Sequence, residues 1–256
     1  MATSMIGFAL FALQQRRTAA AGREPLVTPA LLRKPAFTVG LGGIALFFSG
    51  LIGTQLVLTL FLQIGQHFTA GEAGLGNLPL AVGTAIGGAV SGAFLADKIG
   101  RKVLQIGPLV QLAGAAVLWS ELDGLDAASF SIWDIALGVA VAGVGAGMVI
   151  AALFSFILAA VDDDEIGSAS GVLSAVQAVG GSIGVAVFGS VFFAQAKTGD
   201  FTSGFHRALI VHACLLVVFL AITFLLPEKG RPEELHHGIT LDAAADSSGT
   251  KQHLTV

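Results

Sequence analysis

Charged side chains are scarce in this sequence, and where they gather they suit only a few kinds of chemistry. From Gly92 to Lys102 the chain reads GAFLADKIGRK, with Asp97, Lys98, Arg101 and Lys102 close together between two long apolar runs. Such a group can form ion pairs, cap helix ends and hold the link between two membrane helices out of the hydrocarbon. A second charged group, Asp162, Asp163, Asp164 and Glu165, follows the fourth apolar run. Asp162 is the acid that chain topology brings nearest to Arg101, whereas the three after it suit the start of the next helix. In the first run Gln55 is the most polar deep side chain, with Ser49, Thr54 and Thr59 nearby, and the fourth run carries Ser155 beside Met148, Phe154 and Phe156. A lone buried amide such as Gln55 requires a hydrogen-bond partner. Asp134 and His212 read as lying near the outer face, so no titratable group is expected at mid-membrane. No nucleophile–base pair or metal cluster sits at one depth, which leaves no catalytic residue, no metal site and no cofactor to assign. The single cysteine, Cys214, stands in an apolar run and reads as an inert buried thiol. His236 and His237 have no third ligand nearby and read as a solvated pair.

The elements that must position these residues follow from composition. Hydrophobic residues make up 54% of the chain and charged ones 12%, about half the share of a soluble domain. The 34 glycines suit helices that approach closely in lipid. Six runs are long enough to cross: Phe37 to Ile64, Asn77 to Ala96, Val103 to Trp119, Ile132 to Leu158, Ser168 to Phe193 and Ala208 to Leu226. The pattern gives an all-α membrane protein, a six-transmembrane-helix bundle, with three parts. Residues 1–35 hold a partial helix and a basic connection, 36–227 the six-helix domain, and 228–256 a polar, disordered tail. The first thirteen residues fit either the end of a helix or a shallow interfacial anchor.

Orientation follows from the bases. With the Arg16 to Lys34 connection in the cytoplasm, eleven of the thirteen lysines and arginines lie inside, and Lys197 and Arg207 outside. Trp119 and Trp133 then fall at the outer interface, and the C-terminal tail is cytoplasmic. The second run of each set of three carries an echo, with Gly87-Gly88 in one and Gly180-Gly181 in the other, consistent with a 3+3 inverted repeat. Gly83 with Gly87, Gly88 with Gly92, and Gly180 with Gly184 give narrow faces for helix contact.

The spacing of Gly92, Asp97, Lys98, Gly100, Arg101 and Lys102 resembles the loop between the second and third helices of a six-helix half in major facilitator superfamily transporters. Phe61-Leu62-Gln63, Ala73-Gly74-Leu75, Leu78-Pro79 and the stretch from Asp162 to Gly171 are similar to the C-terminal half of the 14-span drug:proton antiporter branch. The resemblance covers about Phe11 to Pro227, and the N-terminal six helices of that family have no counterpart here. It implies efflux of small amphiphilic molecules by rocking alternating access, in a cell (inner) membrane. It also implies a gate at the charged loop; there Asp97 can interact with the N-terminal end of a neighbouring helix and Arg101 can pair with Asp162, and the same residues can instead serve only as topology charge and helix caps. Cargo would be lined by Gln55, Ser49, Thr54, Thr59, Met148, Phe154 and Ser155, any of which can instead be helix packing. The implied partners are the lipid bilayer, the cargo, and a missing N-terminal half or a second copy, with no nucleic acid. A coupling acid would lie in that other half. A non-transporting remnant or membrane assembly partner is the other reading.

Overall fold

The structure, a computed structural model, describes residues 35–92, 102–123, 130–159, 166–197 and 199–224. Among these residues the chain forms six helices: α1 Pro35–Leu60, α2 Ala70–Val90, α3 Lys102–Asp123, α4 Ala136–Ala159, α5 Ile166–Ala196 and α6 Phe201–Thr223. All six are long and apolar enough to cross a membrane.

Local chemistry sets their ends. Proline opens α1, where its missing N–H costs nothing. A π turn, Phe61–Gly65, continues α1, and His67 turns the chain with a positive φ of 58°. Thr69 and Glu72 then form a reciprocal capping box, so α2 begins at Ala70 and not at Asn77. Asp200 caps α6 by accepting from the Ser203 N–H at 2.9 Å. That cap starts α6 at Phe201, seven residues before the expected Ala208.

The helices pack by an exchange. α2 and α3 both lie against α4, while α5 and α6 both lie against α1, and α3 meets α6. Interchanging α1 with α4, α2 with α5 and α3 with α6 carries these contacts into one another, as an inverted 3+3 repeat implies, while α5 also packs on α6 without a matching α2–α3 contact of that size. The glycines hold equivalent posts. Gly87 of α2 lies on the Val144 carbonyl of α4, and Gly180 of α5 lies on the Ala45 carbonyl of α1. One turn on, Ser91 donates to the Met148 carbonyl at 3.2 Å, and Gly184 covers that of Ser49. A β-carbon at Gly83, Gly87, Gly180 or Gly184 would overlap backbone. Gly147 of α4 packs on the backbone of Gly88, although a β-carbon at Gly88 itself would be accommodated, and Gly92 has no close neighbour among the described residues.

Two apolar clusters fill the bundle. One, near the Lys102 end, gathers Phe37, Phe47, Phe48, Leu104, Leu153 and Phe219. The other, towards Trp119, gathers Phe61, Leu118, Ile135, Phe188, Phe192 and Phe205. The outer faces of α2 and α5 remain bare: only 22% and 28% of their apolar windows are buried, against 56% for α4.

Candidate functional site

Between the two apolar clusters lies a polar layer. Thr54 and Gln55 of α1, Gln111 of α3 and His212 of α6 border a cavity of about 40 Å³ whose wall is mostly apolar, from Leu58, Leu80, Leu118, Val139, Phe205 and Leu209. Gln111 and His212 are 2% and 3% exposed, whereas Gln55 reaches the bundle surface. Three polar atoms in this layer, Thr54 Oγ1, Gln111 Oε1 and His212 Nδ1, have no hydrogen-bond partner. The imidazole lies flat enough against α1 that a β-carbon at Gly50 would stand 2.9 Å from Nδ1, and Phe188 of α5 meets the ring edge-on at 6.4 Å. Nδ1 lies close against the Gly50 backbone.

This placement corrects the sequence reading of His212. A helix starting at Ala208 puts His212 in its second turn, near the outer face. The Asp200 cap moves the start outward, and His212 becomes the middle of the helix. Gln111 was not foreseen at all; its signal was a lone amide amid apolar neighbours, the same signal that marked Gln55. Cys214, expected to be buried, is exposed on the outside of the bundle, two residues and about 200° around α6 from His212.

The other expected lining residues have varied surroundings. Ser49 is buried beneath Gly184, and Thr59 donates to the Gln55 carbonyl at 3.0 Å while accepting from Asn77 at 3.3 Å. Met148 is buried in the apolar cluster, and Phe154 stacks edge-on with Phe48 at 6.5 Å. Phe156 is half-buried and Ser155 exposed. At the charged loop, Gly92 and Lys102 are exposed at the ends of α2 and α3. Asp97, Lys98, Gly100 and Arg101 lie outside the described residues, as does Asp162.

The far end of the bundle is pinned by a small polar group. Trp119 donates from Nε1 to Asp123 at 2.9 Å and stacks on His206 at 4.1 Å, and His206 Nε2 lies 3.6 Å from Asp123. Glu121 accepts from the Gly138 N–H at 3.3 Å, tying α3 to α4. Trp133 and Asp134 occupy the turn entering α4 at this same end, opposite Lys102.

The sequence pattern of the Major Facilitator Superfamily matches residues 1–185 and 43–242. This chain belongs to the major facilitator superfamily. It is 40% identical over 192 residues to the "Probable actinorhodin transporter" of Streptomyces coelicolor, covering 75% of this chain and 32% of that protein. It is 34% identical over 167 residues to a "Tetracycline resistance determinant" of Streptomyces rimosus, covering 65% and 45%. A "Tetracenomycin C resistance and export protein" of Streptomyces glaucescens is 30% identical over 206 residues, covering 78% and 35%. The chain spans less than half the length of each of these relatives. As a major facilitator lobe it is a multi-pass membrane protein, and its crossed triplets are the architecture that the repeat implies.

Proposed function

We propose that this chain is one lobe of an efflux transporter for small amphiphilic molecules, working by rocking against a second six-helix lobe. The observation that carries this reading is the pair of bare apolar helices, α2 and α5, related by the internal exchange. Leu78, Val82 and Ile86 of α2 form one exposed row, and Val179, Ile183 and Val187 of α5 form another at the same spacing of four. Relatives named for resistance and export support the cargo class. The second lobe is either another stretch of the same protein or a second copy of this chain.

In this reading cargo lies at mid-depth, where Gln55 reaches the surface, and the wall can re-pack through Phe154 and its neighbours. Asp97 and Arg101, with Asp162, form the inner gate. The lobe sits in the cell (inner) membrane with Lys102 and the C-terminal tail on the cytoplasmic side.

The test is dye efflux from energised cells expressing the full reading frame that encodes this chain. Dye loss several-fold faster than in non-expressing cells supports the proposal. Loss equal to the control, with the protein present in the membrane, overturns it in favour of a non-transporting membrane partner, a reading that the short coverage of the relatives keeps open.

A further inference from the structure

Close packing of the helices leaves a fault beside Gln55, and the chemistry of its wall decides what can enter it. We propose that this cavity is an apolar subsite for a short alkyl group, about two carbons long, carried by a neutral hydrogen-bonding molecule held at Gln55. Only the source of that molecule rests on the transport reading, and the cargo class narrows from small amphiphiles to uncharged ones.

The wall belongs largely to the apolar cluster nearer Trp119, through Leu58, Ala115, Leu118, Val139, Phe205 and Leu209. Its accessible surface is almost wholly carbon. The polar residues at the border do not change this, because Thr54 Oγ1, Gln111 Oε1 and His212 Nδ1 are closed off from solvent. A cavity with such a wall stays dry and takes up hydrocarbon or xenon in place of water. Native interiors have few voids larger than a water molecule, and this one, at about 40 Å³, has the space of about three. Elsewhere Gly83, Gly87, Gly180 and Gly184 bring backbones into contact, so the space is not a general looseness of the bundle. Each methylene buried in it is worth about fourfold in affinity.

The mouth selects what carries the alkyl group. Gln55 lines the cavity and is exposed at the bundle surface, so it offers an amide donor and acceptor where the cavity opens. Thr59, one turn farther along α1, accepts from Asn77 of α2, and Asn77 Oδ1 is without a partner. Among the described residues no Asp, Glu, Lys or Arg lines the cavity. An ion leaving water would meet no countercharge here, whereas a hydroxyl, ketone or amide would bond Gln55. The end of a lipid acyl chain brings the alkyl group without any polar group for that amide, so the occupant is cargo and not lipid.

The experiment is carbon NMR of leucine methyl groups in the full chain in lipid nanodiscs, with xenon and then N-alkylacetamides, from methyl to butyl, as probes. Xenon should shift the methyls of Leu58, Leu118 and Leu209 and leave those of Leu104 and Leu153, in the other cluster, in place. Affinity for the amides, referred to their free aqueous concentration, should rise about fourfold from N-methyl to N-ethyl and level off at propyl. Ala115→Val adds two carbons to the wall and should abolish both effects. Where that variant does not fold, Leu80→Ala removes three carbons at the rim and should carry the rise on to butyl. Gln55→Leu should weaken every amide alike and leave the xenon shifts intact. The proposal falls if xenon leaves the three methyls unshifted, or if affinity climbs with every carbon as lipid partition does. It falls equally if the methyls respond in detergent but not in nanodiscs, since acyl chains would then hold the cavity. Efflux is not read at any step, so a lobe that moves no dye but meets these expectations loses the transport reading and keeps the subsite.

Discussion

Asp200 shows how one side chain decides where a functional group ends up. Its carboxylate accepts from Ser203, first through the side chain and then through the backbone, and these bonds hold its pKa below the ordinary aspartate range. A pKa depressed by folding contributes stability above the unfolded value, near about 4, and that contribution fades as pH falls through the folded value. Asp200→Ala should cost about 1 kcal/mol and fray the first turn of α6. Hydrogen exchange at the amides following Asp200 should rise in the variant at neutral pH and differ little from the parent in strong acid. Equal protection at neutral pH would show that the cap does not set the helix start. At the same scale, the sequence could offer His212 and Gln111 only as polar marks in apolar runs. Their meeting depended on the rotation of α3 and α6 about their axes, which no local pattern encodes.

At the scale of elements, the bundle is held by backbone-to-backbone contact where large side chains are excluded. The glycine faces of α2 and α5 were legible because small residues at a spacing of four form a stripe on a helix. Which helix each stripe would meet was not legible, since α1 and α4 look alike in composition. The structure settles this by crossing the triplets. Gly184→Leu would drive a side chain into the Ser49 carbonyl, and Gly87→Leu into that of Val144. Overpacking in cores typically costs about 1–3 kcal/mol, and rigid carbonyl groups offer little relief, so losses at or above the top of that range are expected. Gly42→Ala meets open space and should leave stability within about 0.5 kcal/mol. Thermal unfolding in detergent would rank the three, and equal midpoints would argue against the crossing contacts.

At the scale of the whole molecule, the two ends of the bundle differ in chemistry. Lys102 marks one end, while Trp119, Trp133, Asp123 and Asp134 mark the other. In a Cys214→Ala background, Lys102→Cys should react with an impermeant thiol reagent only in inside-out vesicles, and Asp134→Cys only in intact cells. The opposite pattern would reverse the proposed orientation. Charge reversal at Asp97 should slow efflux about two- to fivefold without loss of insertion, because an exposed ion pair contributes at most about 1 kcal/mol to a balanced equilibrium. Unchanged efflux would remove Asp97 from the gate.

Hydrophobic run length, glycine spacing and the distribution of charge depend on residues near one another in the chain. They were enough to determine a six-helix membrane lobe, its internal repeat and its family. The layer around Gln55 and His212 depended instead on bringing together residues from helices far apart in the chain, Gln55 and His212 being 157 positions apart. Only the packing of α1, α3 and α6 could decide it, because helix rotation and crossing are set by the fit of whole surfaces.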